Sequence, residues 1–243
     1  MSAIFTSKVE RAYSKLSEWP EITTQIPYII VDNFPKLGLL TSLRFLEWTN
    51  ENPNGVISLP TGKTPEYFIK YTKFLIENWN TSKGCEIREQ YGLENLKNPY
   101  LGDIQFVQID EFYPINPDQH NSFYNYVINY YIHGFGLKKE NSLFINSNDI
   151  PLYENRSYSE VFPDSIIDLT LRYREAKFVL EEIQQKSILM IDNWCNKYEQ
   201  QIRDKGGIGF FLGGIGPDGH IAFNTRGSDH YSTTRLTHTN FET

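Results

Sequence analysis

Short apolar runs alternate along this chain with longer segments whose apolar residues recur at helical spacing. That alternation calls for an α/β fold with a parallel sheet. The strand-like runs are residues 27–31 (PYIIV), 55–59 (GVISL), 103–109 (DIQFVQI), 143–145 and 207–212 (GIGFFL). Between them, Leu39, Leu40, Leu43, Phe45 and Leu46 predict a helix over residues 37–48. Tyr67, Phe68, Tyr71, Phe74, Leu75 and Trp79 form the stripe of a second helix. A Tyr-rich helix is predicted over residues 120–132 and an amphipathic one over 187–202. Two stretches stand outside the alternation and read as insertions. Residues 81–100 are polar without clear periodicity, and residues 149–186 carry Pro-containing turns with one helical run over 173–183. No internal repeat or linker divides the chain, so a single domain over residues 1–243 is expected. Residues 237–243 supply neither a closing strand nor a docking helix, so the sheet is expected to be incomplete at the C-terminus and the chain truncated.

Composition narrows the function. At 243 residues with 40% apolar and 15% aromatic residues, the chain can bury a sizeable core. A net charge of −7 argues against nucleic acid or an anionic membrane as partner. An anionic small molecule would therefore need a local cationic or backbone-amide site. Cys85 and Cys195 fit neither a disulfide framework nor a zinc pattern. Cys195, among Ile191, Trp194 and Tyr198, reads as a buried apolar residue. No segment approaches the ~18 unbroken apolar residues of a membrane span. The N-terminus meets charge early and lacks a signal-peptide core, so a cytoplasmic protein is expected.

In an open α/β sheet, ligands bind beyond the carboxyl ends of the strands. Three loops in that position carry unusual residues. Thr61, Gly62, Lys63 and Thr64 lie between strand and helix, where free amides and the helix dipole could hold an anion. The spacing is not that of a Walker A loop, and the turn reads equally well as a plain strand-to-helix connection. Asp110 and Glu111 end an apolar strand, a costly place for carboxylates unless they are solvated or used. They read either as a general base and its neighbour or as an N-cap beside a solvated carboxylate. In GGIGPDGHIAFN, residues 213–224, Asp218 sits two positions before His220 with Gly219 between. Such a turn can bring a carboxylate onto an imidazole and set its tautomer. His133, His230 and His238 have no such context.

These loops, in this order, resemble the glucosamine-6-phosphate deaminase and 6-phosphogluconolactonase superfamily. The resemblance rests on the Pro-Thr-Gly-x-Thr-Pro turn, the Asp-Glu-aromatic strand end, and Gly-x-Asp-Gly-His-Ile-Ala-Phe-Asn. It runs from about the first strand to residue 239, interrupted by the two insertions. Residues 221–224 are similar to the deaminase branch rather than the lactonases, and His120 to Tyr124 are similar to that branch's His-x-x-Ser-Tyr segment. The resemblance implies a modified Rossmann-like parallel sheet flanked by helices, with no metal and no organic cofactor. It implies an amino sugar phosphate as the small-molecule partner, with no nucleic acid or membrane, and it is compatible with a homo-oligomer. The implied reaction converts glucosamine 6-phosphate and water to fructose 6-phosphate and ammonia. Asp110 falls on the base that moves a proton between C2 and C1, His220 on the ring-opening residue, and Asp218 on its carboxylate partner. Thr61, Gly62, Lys63 and Thr64 fall on the phosphate-contacting turn. There are departures: Thr225 stands where deaminases usually carry Glu, and Lys63 replaces the usual second Gly. The insertions resemble an elongated bacterial branch whose chains continue further. Two rival readings are a 6-phosphogluconolactonase-like hydrolase and a non-catalytic sugar-phosphate sensor on the same fold.

Overall fold

The structure is a computed structural model that describes residues 6–16 and 26–239. Four short parallel strands form its sheet, in the order β3-β2-β1-β4. They are β1 (Val56–Ser58), β2 (Gln105–Val107), β3 (Ser142–Leu143) and β4 (Phe210–Phe211). Strand β1 pairs parallel to β2, with Val56 opposite Gln105 and Ile57 opposite Phe106. Leu212 N donates to Ser58 O at 3.0 Å beside β4, and Gln108 N donates to Leu143 O at 3.0 Å beside β3. The order reverses direction at β1, the arrangement of a doubly wound α/β sheet.

Chain contacts divide the protein into two compact units. The first comprises residues 1–57, 61–106 and 127–142. Its described helices include α1 (Lys8–Leu16), α2 (Phe34–Glu51), α3 (Glu66–Glu77) and α4 (Ser82–Gln90). Asn33 caps α2 by accepting from Lys36 N at 2.9 Å, with Pro35 in the first turn, where its missing N–H costs nothing. Gly38 is required where α2 meets α3, because a Cβ there would strike the backbone and Cβ of Tyr67. The resulting close approach buries Leu43, Leu46, Phe68 and Leu75. Phe45, Phe68 and Phe135 stack edge-on or tilted at centroid distances of 5.6 to 6.2 Å. Burying side chains of this size contributes about 1.5–3 kcal/mol each, offset by the chain entropy lost on folding.

The second unit comprises residues 58–60, 107–126 and 143–243. Its long helix α8 (labelled after α5 Phe123–Val127, α6 His133–Phe135 and α7 Tyr158–Val161) spans Val179–Asp204. The buried positions Ser187, Ile188, Ile191, Cys195 and Tyr198 recur at three- and four-residue steps, one face of a helix. That face packs with Ile150, Leu152, Val161, Phe162 and Leu171 into one apolar cluster. Cys195 is a buried member of it, as its sequence neighbours predict.

Three local expectations need correction. Residues 27–31 lie outside the sheet, with Tyr28 exposed and Ile29, Ile30 and Val31 only half-buried. Tyr13 Oη donates to Ile30 O at 3.3 Å, so at least one carbonyl there is met by a side chain instead of a strand. Ser82–Gln90 form α4 despite weak periodicity, because Thr81 caps it by accepting from Gly84 N and Gly84 lets the helix pass against Asn78 O. The helical run predicted from residue 173 begins only at Val179. Residues before it are held as a loop, since Arg174 pairs with Asp168 and Glu181, and Lys177 N donates to Glu181.

Candidate active site

The segment after β2 holds two adjacent carboxylates in opposite environments. Glu111 is fully engaged: Oε1 accepts from Phe112 N at 2.9 Å and Phe123 N at 3.0 Å. Its Oε2 accepts from Ser122 Oγ at 2.8 Å and Tyr124 N at 2.7 Å. These donors include the first amides of α5, which have no partner inside the helix. Glu111 is thus bound to a helix start, as one of the two sequence readings allowed. Its neighbour Asp110 is half-buried, and its Oδ1 is buried and accepts no hydrogen bond. Burial, reinforced by the charge of Glu111 and opposed by His220, pushes the Asp110 carboxyl up to about 7. A carboxyl poised there can both take and return a proton near neutral pH.

The backbone around Asp110 is locked from beneath by Gln108, a buried side chain in the apolar strand run. Its Nε2 donates to Asp110 O at 2.9 Å, and its Oε1 accepts from Ile145 N at 3.0 Å. Tyr198 on α8 donates from Oη toward Gln108 O at 2.6 Å and Leu143 O at 3.1 Å. Sequence reasoning gave no role to Gln108 or Tyr198, and it left open which of Asp110 and Glu111 caps a helix. The one available signal was a Gln within DIQFVQI, since a buried amide must find partners for both its ends.

After β4 the chain enters the Gly-rich loop, and here Asp218 and His220 come together as their spacing predicts. Asp218 Oδ1 lies 2.5 Å from His220 Nδ1 and 3.4 Å from His220 N. Gly219 supplies the left-handed backbone (φ 87°) that folds the carboxylate onto the ring. Gly216 N donates to His220 O at 2.9 Å, closing the turn. A side chain at Gly216 would collide with the imidazole itself, so the ring packs on bare backbone. With Nδ1 held by Asp218, Nε2 is the nitrogen left to exchange protons. Phe223 then anchors the loop, its ring 4.8 Å from Phe112 and 5.8 Å from Phe123.

Asp110 lies on the wall of a cleft of about 780 Å³ in this unit, within the range of small-molecule sites. Tyr113, Tyr158, Trp194, Phe223 and Arg235 share that wall. Residues 221–224 line it as well, whereas Asp218 and His220 are not part of the lining. Tyr158, at the start of α7, brings a buried hydroxyl that finds no partner. Arg235 donates to Asn224 Oδ1 at 2.9 Å. Among the described residues, no group of three or more His, Cys, Asp or Glu side chains is arranged to hold a metal ion. No described helix is long and apolar enough to cross a membrane.

The turn at Thr61, Gly62, Lys63 and Thr64 belongs to the first unit. Gly62 takes the left-handed conformation (φ 79°), and Lys63 and Thr64 are exposed. Pro65 precedes the first helical residue of α3 rather than entering it, and no side chain caps that helix.

Fold and site together define an α/β protein in which Asp110 follows strand β2 and the Asp218–His220 pair follows strand β4. No family model matches the chain. Curated relatives do: a glucosamine-6-phosphate deaminase of Drosophila melanogaster is 29% identical over 181 residues, covering 74% of this chain and 45% of that protein. One of Bacteroides thetaiotaomicron is 31% identical over 180 residues, covering 74% of this chain and 46% of that protein. A solved monomeric glucosamine-6-phosphate deaminase of the NagB superfamily shares the fold, with a TM-score of 0.59 at 21% identity. It is matched over 89% of this chain and 66% of its own. Over about three quarters of its length, the chain is similar to glucosamine-6-phosphate deaminases. It spans about half the length of the curated relatives it matches.

Proposed function

We propose that this chain carries the acid–base residues of an enzyme that converts glucosamine 6-phosphate and water to fructose 6-phosphate and ammonia. The observation that carries the reading is the Asp110 carboxyl, buried with an unpartnered oxygen on a cleft wall and raised to about 7. Isomerisation next to a carbonyl needs a base for a carbon-bound proton that can hand the same proton back. In the proposed sequence, His220 moves a proton through Nε2 as the C1–O5 bond breaks. The C1 hydroxyl loses its proton, O5 gains one, and C1 becomes an aldehyde. Asp218 keeps the imidazole in the tautomer this requires. Asp110 then takes the proton from C2, the electron pair forms a C1–C2 double bond, and the C1 oxygen takes a proton from the C2 ammonium group to become an enol. Return of the proton to C1 leaves an imine at C2. Water adds there, ammonia departs, and the C2 ketone of fructose 6-phosphate remains.

Thr61, Gly62, Lys63 and Thr64 are proposed to contact the phosphate, a reading supported by the exposed Lys63 and Thr64 and the left-handed Gly62. The test is ammonia release from glucosamine 6-phosphate by the full-length protein and its Asp110→Asn variant. Turnover that falls by about 10²–10⁴-fold in the variant supports the assignment. Hydrolysis of 6-phosphogluconolactone with no ammonia released from the amino sugar would overturn it.

A further inference from the structure

Glu111 makes more hydrogen bonds than capping α5 requires. One side-chain oxygen suffices for an N-cap, and Ser122 already accepts from Asn125 N at 3.3 Å. Glu111 nevertheless gathers the amides of Phe112, Phe123 and Tyr124 and the hydroxyl of Ser122, itself fully buried. Donors on both oxygens fix the carboxylate in place. They also tie the strand end that carries Asp110 to the helix start, where Phe112 and Phe123 pack at 5.2 Å. Phe223 joins those two rings from the loop that carries His220.

We propose that Glu111 is a positioning residue for Asp110, holding its strand end in place and keeping a fixed negative charge one residue from the base. The proposal rests on the reading of Asp110 as that base. The ionisable groups that bear on Asp110 are Glu111 on its own segment, His220 from the loop after β4, and Tyr198 from α8. Glu111 opposes ionisation of Asp110 and His220 favours it, while burial is the larger cause of the raised value. Removing the Glu111 charge therefore makes Asp110 easier to ionise, and the base becomes available at lower pH.

The test compares the full-length protein with Glu111→Gln and Glu111→Asp. In Glu111→Gln, the acidic limb of kcat/KM for ammonia release should move down by about one pH unit. KM should stay within about twofold while kcat falls, because a misplaced base costs turnover more than binding. Glu111→Asp keeps the charge but shortens the reach to α5, so the limb should stay in place while kcat drops by about tenfold. Carbon-13 titration of the Asp110 carboxyl, assigned with Asp110→Asn, reads the same shift without turnover. A titration and an acidic limb unmoved in Glu111→Gln overturn the proposal and leave a helix cap only. Should Glu111→Gln not fold, Glu111→Asp decides, and kcat within about twofold of wild type overturns the proposal. If the wild-type protein releases no ammonia, the functional reading falls, and the carboxyl titration still judges Glu111 separately.

Discussion

Asp110→Asn should remove a pH-dependent loss of stability as well as activity. The Asp110 carboxyl lies at about 7 in the folded chain against an ordinary 3.8. The difference of about 3 pH units, at about 1.4 kcal/mol each, amounts to about 4 kcal/mol. Water entering the cleft lowers that figure, so about 2–4 kcal/mol is expected. The sign follows from the raised value. Between about pH 4 and 7 the folded chain holds a proton that the unfolded chain has lost, so stability falls as pH rises through that window. Above about 7 neither state holds it and the curve flattens. Asn is a neutral isostere and has no such proton. Urea unfolding of both proteins at intervals from pH 4 to 8 isolates the contribution. Glu181, held down at about 2 by Arg174, titrates below this window and is common to both proteins. The wild type should lose about 2–4 kcal/mol relative to the variant across the window. Parallel curves for the two proteins would refute the argument, because a solvated Asp110 would show no such fall.

Two further outcomes test the loops on either side of this assignment. Gly216→Ala places a methyl group where the His220 ring lies, so kcat should fall by about a hundredfold with little change in melting temperature; activity within about twofold of wild type would show that the ring can move without consequence. Lys63→Ala should raise KM for glucosamine 6-phosphate several-fold with kcat nearly unchanged, since an exposed cation holds the phosphate equally in ground and transition states. An unchanged KM removes Lys63 from the phosphate turn.

Where long-range packing and local pattern agreed, the fold was legible in the sequence. The spacing of Leu43, Phe45 and Leu46 on α2 and of Ile188, Ile191, Cys195 and Tyr198 on α8 follows from one buried face, and both helices form. Residues 55–59, 103–109 and 207–212 each deliver a strand, though shorter than the apolar run suggests. The Tyr-rich segment predicted as one helix starts at Phe123, and residues Ile128–Ile132 widen into a π-helical turn before α6. Residues 27–31 misled because five apolar residues look alike whether they join a sheet or lie against a helix. That choice depends on what stands nearby, which the run itself does not encode.

The Asp110–Glu111 pair shows the same limit at the scale of chemistry. In sequence the two carboxylates are interchangeable, and either could be cap or base. What separates them is set from elsewhere: Ser122, Phe123 and Tyr124 present their donors to Glu111, while Gln108 and Tyr198 hold the backbone beneath Asp110. Once Glu111 has taken the free donors of α5, none remains for Asp110 Oδ1, and burial becomes the largest influence on its proton. The Asp218–His220 pair was legible for the opposite reason. Its geometry is local, fixed by Gly219 between the partners and Gly216 beneath the ring, so the residue spacing carries it. A carboxylate–imidazole pair closed within one turn can be read from sequence, whereas a carboxyl whose state depends on what its neighbour has already bound needs the fold.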